Sequence, residues 1–170
     1  VQETYDGRAS FDDVHFVDAM IGWVVGREDL SGAASPVILN TTDSGASWTP
    51  QTSGTTEGLR SVHFVDAQVG WAVGVKGCLK TTDGGENWIS QTGGSYESVH
   101  FVDAMNGWVV GFNSIRKTTD GGATWTTKMT GRHFTDVYFI DAQVGWVTSR
   151  GQGGDPSQTI LRTTDGGENW

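Results

Sequence analysis

Four aspartates occur in one recurring phrase, Thr-Thr-Asp-x-Gly-x-x-Trp, and carboxylates of this kind build calcium sites and hydrolase active sites. Four separate turns cannot converge on one ion, so we predict a structural role and no metal site. Each aspartate is expected to accept hydrogen bonds from its own turn, each glycine to permit a positive φ, and each tryptophan to fill space between strands. The phrase residues are Asp43, Gly45, Trp48, Asp83, Gly85, Trp88, Asp120, Gly122, Trp125, Asp165, Gly167 and Trp170.

Three histidines recur at one position of a repeat, His15, His63 and His100, with Tyr138 at the fourth. A three-histidine metal site is one interpretation. The other is that each side chain packs between neighbouring repeats. The tyrosine and the expected spread of the positions around an axis favour packing.

No motif of an established catalytic type is present, and no catalytic residue or cofactor is predicted. The arginines are scattered rather than clustered as a sialidase requires. Glu28, Asp29 and Asp155 could pair as the two acids of a glycosidase, and charge exposed on loops is the alternative that we favour.

Composition excludes several classes of partner. The net charge of −9 argues against a nucleic-acid or anionic membrane surface. No segment approaches the roughly 20 apolar residues of a membrane span, so no membrane insertion is expected. Cys78 is the single cysteine, which rules out a disulfide within the chain. The start at Val1, without methionine or leader, suggests a trimmed, processed or excised chain and leaves the compartment open.

All eight tryptophans lie at repeat positions, so they indicate architecture before they indicate a site. Each repeat reads as short strands of alternating apolar residues separated by turn phrases. We predict an all-β fold, a β-propeller of four four-stranded blades in one domain, 1–170. The blades, called units one to four below, are approximately 11–52, 59–92, 96–130 and 134–170, the last completed by a strand from residues 1–4.

The recurring phrase resembles the Asp-box, or BNR repeat, of sialidase-type propellers. The longer unit, with Phe-Val-Asp-Ala-x-x-Gly-Trp before the box, most resembles the photosystem II assembly and stability factor family and its bacterial relatives. The resemblance covers nearly the whole chain. It implies a structural hairpin at each box, a role in protein assembly or protein binding, and an extracytoplasmic compartment.

The turns fall on two sides of the predicted blades, and only one side varies between units. Unit one inserts residues 27–36 and unit four residues 150–158, whereas units two and three have short connections there. Function often resides on variable loops of a rigid scaffold, although tolerated surface insertion is an equal alternative. The candidate binding face is Arg27, Glu28, Asp29, Lys76, Asn113, Arg150, Gln152, Asp155 and Gln158.

The sequence therefore predicts a non-catalytic scaffold that binds a protein. A glycan-binding or glycoside-hydrolase module, sialidase-like, is one alternative, and an engineered or excised repeat protein without a ligand is another. Bulky aromatic residues at every blade interface favour gentle angles between blades. We therefore expect two chains to share one eight-blade ring, with closure of one chain on itself as the alternative.

Overall fold

The computed structural model describes residues 9–30, 33–151 and 158–170. Within these ranges the chain forms β-strands without any helix, and every pairing between strands is antiparallel. The all-β class predicted from the sequence is confirmed. The strands are β1 (Ala9–Phe16), β2 (Gly22–Leu30), β3 (Ala33–Thr41), β4 (Thr49–Pro50), β5 (Leu59–Phe64), β6 (Gly70–Gly74), β7 (Gly77–Thr81), β8 (Ile89–Thr92), β9 (Tyr96–Phe101), β10 (Gly107–Thr118), β11 (Thr126–Phe139), β12 (Gly145–Arg150) and β13 (Gln158–Thr163).

Units one and two each form one four-stranded sheet, with strand orders β1-β2-β3-β4 and β5-β6-β7-β8. Strands that follow one another in the chain are neighbours in the sheet, because the connections are tight turns. In the first turn of unit one, the Asp18 carboxylate accepts hydrogen bonds from the backbone N–H groups of Met20 and Ile21 at 2.7 and 2.8 Å. The Asp-Ala-x-x-Gly phrase is thus a turn that closes on its own aspartate.

Units three and four share one five-stranded sheet, of order β13-β12-β11-β10-β9. Strand β10 contains the predicted second and third strands of unit three and passes through Asn113, whose φ is 72°. Strand β11 contains the last strand of unit three and the first of unit four. The sheet does not break between the two units, because residues 131–133 run in the extended β11, with His133 paired to Phe112 on one side and Arg150 on the other.

The insertion of unit one continues the sheet as strand, where the sequence indicated a loop. Strands β2 and β3 stay in register from Gly26 opposite Val37 to Leu30 opposite Ala33. Unit four does the same at its base, where Arg150 pairs with Gln158. The insertion of unit one therefore lengthens a hairpin, and in unit four the described strands pair up to Arg150 and Gln158, the two ends of the insertion.

The core lies between units rather than inside them. Three clusters of buried side chains occur in the described part of the chain, and each joins the second and third strands of one unit to the strands of the next. Each cluster contains the tryptophan at the second position of a strand, and all three of these tryptophans, Trp23, Trp71 and Trp108, are buried. A single small sheet cannot bury its apolar side chains by itself, so each unit is stabilised by packing against the next one.

Two expectations lie outside the described residues. These are the strand from residues 1–4 that was predicted to complete unit four, and the side chains of Asp29, Gln152 and Asp155. Among the residues that are described, no helix is long and apolar enough to cross a membrane.

Candidate functional site

The carboxylate of each recurring turn is surrounded by donors from that same turn. In unit two, Asp83 Oδ1 accepts hydrogen bonds from Thr81 Oγ1 at 2.8 Å and the Asn87 backbone N–H at 2.9 Å, and Oδ2 accepts one from Asn87 Nδ2 at 2.8 Å. Thr81 Oγ1 in turn accepts a hydrogen bond from the Gly85 N–H at 2.9 Å. The other units repeat this arrangement around Asp43, Asp120 and Asp165.

These hydrogen bonds lower the pKa of the carboxyl groups. The side-chain donors Ser47, Asn87 and Thr124 contribute first, and the backbone donors next; they bring the pKa of Asp43, Asp83 and Asp120 to about 2. The pKa of Asp165 is lowered for the same reasons. The lone pairs that would bind a cation or a substrate proton are already directed at the turn. In the described ranges, no group of three His, Cys, Asp or Glu side chains is placed to hold a metal ion.

The turns are connected to the preceding unit through tryptophan. Trp71 Nε1 donates a hydrogen bond to the carbonyl oxygen of Gly121, in the recurring phrase of unit three, at 3.1 Å. The Trp71 ring also stacks on Phe101 of unit three, with centroids 3.5 Å apart. Gly121 has a φ of 70°, which glycine adopts without strain. The recurring turn therefore contributes an acceptor to the interface between units.

A cavity of about 270 Å³ is lined by the first strands of all four units. The rings of His15, His63 and His100 form a row in it, with centroids 4.5 and 4.6 Å apart, and Tyr138 follows at 4.8 Å. His15 Nε2 lies 2.9 Å from the Phe64 carbonyl oxygen and His100 Nε2 lies 2.8 Å from that of Phe139, so these nitrogens carry the proton and donate to the next unit.

Burial lowers the pKa of all three histidines. For His63 the pKa falls from 6.5 to about 3, first through desolvation and then through repulsion from His100 and His15. His15 and His100 are shifted downwards mainly by desolvation as well. The row is neutral at pH 7, and the ε nitrogens of His15 and His100 face carbonyl groups of neighbouring strands rather than a common centre.

The candidate binding residues lie at the ends of the strands opposite the recurring turns, and some of them already form ion pairs or hydrogen bonds within the chain. Arg27 forms an ion pair with Asp12 at 3.0 Å, and Lys76 lies 3.8 Å from Glu57. Asn113 Oδ1 accepts a hydrogen bond from the Gly131 N–H at 2.8 Å.

Unit four carries an open recess on this side. Arg150 and Gln158 sit opposite each other and line an open recess of about 590 Å³ with Thr135, Thr148 and Ile160. Glu28 pairs with Ser35 in the lengthened hairpin of unit one, and Asp29 with Ala34. The structure brings Arg150 and Gln158 together and leaves Arg27 and Lys76 with separate acidic partners.

A charged network on the same side was missed in the sequence. Glu97 Oε1 lies 2.7 Å from Arg60 Nη1 and 3.1 Å from His133 Nε2, so one carboxylate of unit three links unit two to the segment between units three and four. Phe112 rests edge-on against His133, with ring centroids 5.7 Å apart, and is exposed. Arg60 and Glu97 hold the same position in successive units, one residue after the start of the first strand. Because their charges are opposite, the sequence could have predicted an ion pair between these two residues.

The sequence matches a known protein family. The model of the family described as photosynthesis system II assembly factor YCF48 matches residues 4–94, more than half of the chain. No curated protein matches the sequence.

Solved structures share the fold at low sequence identity. A structure of YCF48 bound to D1 peptide has a TM-score of 0.61 and 18% identity, over 92% of this chain and 68% of that one. The GH74 enzyme of Niastella koreensis has a TM-score of 0.70 and 18% identity, over 89% of this chain and 28% of that one. The computationally designed Ika4 protein has a TM-score of 0.63 and 11% identity, over 95% and 94%. The fold is thus propeller-like, and the chain belongs to the family of the photosynthesis system II assembly factor YCF48.

Proposed function

We propose that this chain is a non-catalytic propeller module that binds an extended segment of another protein. The observation that carries the proposal is the family match, together with the relative whose structure holds a D1 peptide. Catalytic residues, cofactors and metal ions have no part in the proposed role.

The four repeat units act as four blades in this proposal. Each buried cluster joins one unit to the next, as blade faces do in a propeller. The first strands of all four units line one cavity, as inner strands do around a propeller axis.

The recurring turns are structural in this proposal. Their aspartates are saturated by donors within four residues, and their tryptophans pack on the phenylalanine of the same unit, as Trp88 does on Phe64 with centroids 5.8 Å apart. A carboxylate with this many internal donors gains little from a ligand.

The binding surface is the side of the blades that carries the insertions of units one and four. It presents charges of both signs, in the pair of Arg27 with Asp12 and in the network of Arg60, Glu97 and His133. The exposed ring of Phe112 adds an apolar anchor at the edge of that network. A peptide with one apolar side chain among polar and charged neighbours matches this surface.

Titration with the D1 peptide, followed by calorimetry, tests the proposal. We expect saturable binding that is weakened at least tenfold when residues 27–36 and 150–158 are both replaced by short turns like that of residues 75–77. Phe112→Ala should weaken binding without changing the fold, because the ring is exposed. Ile89→Ala, an equally exposed apolar residue on β8, is the control and should bind normally. Undiminished binding after both replacements, or no binding by the intact chain, contradicts the proposal.

A glycan-binding or glycoside-hydrolase role is the second candidate, and its support is the similarity of fold to a GH74 enzyme. In that case the acids would come from the insertions of units one and four, among Glu28, Asp29 and Asp155. A glycan array with the intact chain separates the candidates, since specific retention of a glycan that is lost with Glu28→Gln favours the second.

A further inference from the structure

Two of the three methionines of the chain lie at one position of the repeat, on the side of the recurring turns. Met20 and Met105 each follow Asp-Ala in the turn after the first strand, and they are 50% and 51% exposed. Met129, in β11, packs instead against the buried cluster that contains Trp108 and Phe139. Unit three lies between units two and four, and Met105 stays exposed there. A neighbouring unit therefore does not cover this position of the repeat.

The backbone of Met105 holds its turn, and the side chain takes no part in this. The Met105 N–H donates to Asp103 Oδ1 at 2.7 Å, and the Met105 carbonyl oxygen accepts a hydrogen bond from the Gly121 N–H of the recurring turn at 2.9 Å. Gln68 and Gln143 hold the same position in units two and four. A polar side chain with an acceptor oxygen is therefore accommodated at this position, and the fold does not require a thioether there.

The neighbour of the sulfur atom differs between the two turns. In unit one, Ser44 Oγ lies 3.2 Å from Met20 Sδ and 2.7 Å from the Ala19 carbonyl oxygen, so the hydroxyl is within hydrogen-bonding distance of both acceptors. In unit three the equivalent residue is Gly121, and no residue of the described ranges donates a hydrogen bond to Met105 Sδ. A hydroxyl group beside the sulfur obstructs an approaching oxidant and engages the lone pair that has to react. Met105 is therefore the more reactive of the two thioethers.

We propose that Met105 is a site of reversible oxidation by hydroperoxides, and that Met20 is a second, slower site. The sulfur lone pair attacks the terminal oxygen of the hydroperoxide and the O–O bond breaks. The proton of that oxygen passes to the leaving oxygen, so the products are a methionine sulfoxide and one molecule of water or alcohol. Methionine sulfoxide reductases reverse the step with a dithiol, which becomes a disulfide while the oxygen leaves as water. The inference is independent of the protein that the module binds.

The fold separates the methionines that tolerate oxidation from the one that does not. A sulfoxide at Met105 gives the turn a polar side chain, as Gln68 and Gln143 do in their units. A sulfoxide at Met129 would place a polar oxygen against the apolar side chains of a buried cluster, and burial of such a group without a hydrogen-bond partner is unfavourable. Because reaction with a peroxide follows exposure, the turn methionines react first and the folded chain keeps its core intact.

Timed treatment with hydrogen peroxide, followed by peptide mapping in a mass spectrometer, measures the oxidation rate of each methionine. In the folded chain we expect Met105 to react about twofold faster than Met20, since a thioether is only a weak hydrogen-bond acceptor. Met129 should react roughly tenfold more slowly than Met105, because it is packed against the core. In urea the three rates should become equal, since the differences arise from the fold.

Three variants test the separate parts of the argument. Ser44→Gly should raise the rate of Met20 to that of Met105, and Met105 in the same variant is the internal control; the φ of 64° at Ser44 suits glycine, so the turn is kept. Met105→Gln imitates the sulfoxide and should leave the melting temperature unchanged. Met129→Gln is the matched control and should lower it by at least about 2 °C. Both methionine sulfoxide reductases with dithiothreitol, one for each sulfoxide epimer, should return the oxidised folded chain to its original mass.

The proposal is overturned if Met129 of the folded chain is oxidised as fast as Met105, if the reductases leave Met105 oxidised, or if Met105→Gln lowers the melting temperature as much as Met129→Gln does. Equal rates for Met20 and Met105 in the parent chain, or a Met20 rate unchanged by Ser44→Gly, would overturn the ranking of the two sites.

Discussion

Replacing Trp71 by alanine tests the claim that stability resides at the interfaces between units. Trp71 is fully buried, stacks on Phe101 at 3.5 Å and donates to the Gly121 carbonyl at 3.1 Å. Truncation of a buried tryptophan costs about 3–5 kcal/mol, and loss of the hydrogen bond adds about 1 kcal/mol. We expect the free energy of unfolding to fall by about 4–6 kcal/mol, a large part of the roughly 5–15 kcal/mol of a typical domain.

The same chain offers the control for this truncation. Trp146 holds the equivalent position in unit four, is half-buried, and makes a cation–π contact with Arg162 at 6.0 Å. Trp146→Ala should cost less than about 1 kcal/mol, because within the described residues no following unit packs on the ring. Trp71→Phe keeps the aromatic stack and loses the hydrogen bond, so about 1–3 kcal/mol is expected.

Urea denaturation followed by far-UV circular dichroism measures the free energy of unfolding of the three variants and of the parent chain. We expect the free energy of unfolding to be far lower for Trp71→Ala than for Trp71→Phe, and that of Trp146→Ala to be close to that of the parent chain. Equal losses for Trp71→Ala and Trp146→Ala would refute the reasoning, since they would mean that the tryptophan stabilises its own unit and not the contact with the next.

Two further predictions concern the recurring turns and the histidine row. Thr81→Val should cost about 1–3 kcal/mol in urea denaturation, because the buried hydroxyl accepts from the Gly85 N–H, whereas the exposed Thr82→Val should change stability by less than about 0.5 kcal/mol; equal effects would contradict this. The pKa of His63 is lowered from 6.5 to about 3, so the folded chain keeps it neutral while the unfolded chain binds a proton below pH 6.5. Stability should therefore fall as the pH drops from about 6.5 towards 3, and His63→Gln should flatten this slope in thermal melts; an unchanged slope would show that other groups produce it. The titratable groups that share the cavity with His63 are His15, His100, Asp13, Asp136 and Tyr138.

Local features of the fold were predictable because local contacts produce them. The Asp-Ala-x-x-Gly turn and the recurring phrase are closed by hydrogen bonds between residues no more than four apart, such as Asn87 N–H to Asp83. The alternation of Val62 and Phe64 fixes which side chains of a strand share a face. Four copies of each pattern therefore predicted an all-β repeat protein and its strand positions.

Contacts across units were less predictable. Arg60 and Glu97 are 37 positions apart, and their ion pair exists only because neighbouring sheets bring equivalent positions together. The join of units three and four into one sheet also depends on a neighbour, since the segment at residues 131–133 stays extended by pairing with strands on both sides.

Burial shows most directly what the tertiary structure decided. Ile115 of unit three and Ile160 of unit four hold the same position of the repeat, three residues before the pair of threonines, yet Ile115 is fully buried and Ile160 is exposed. The sequence determined the repeat, the turn chemistry and the apolar face of every unit, because these follow from residues close together in the chain. Which of those faces is covered depends on whether another unit stands beside it, and only the arrangement of whole sheets in space determines that.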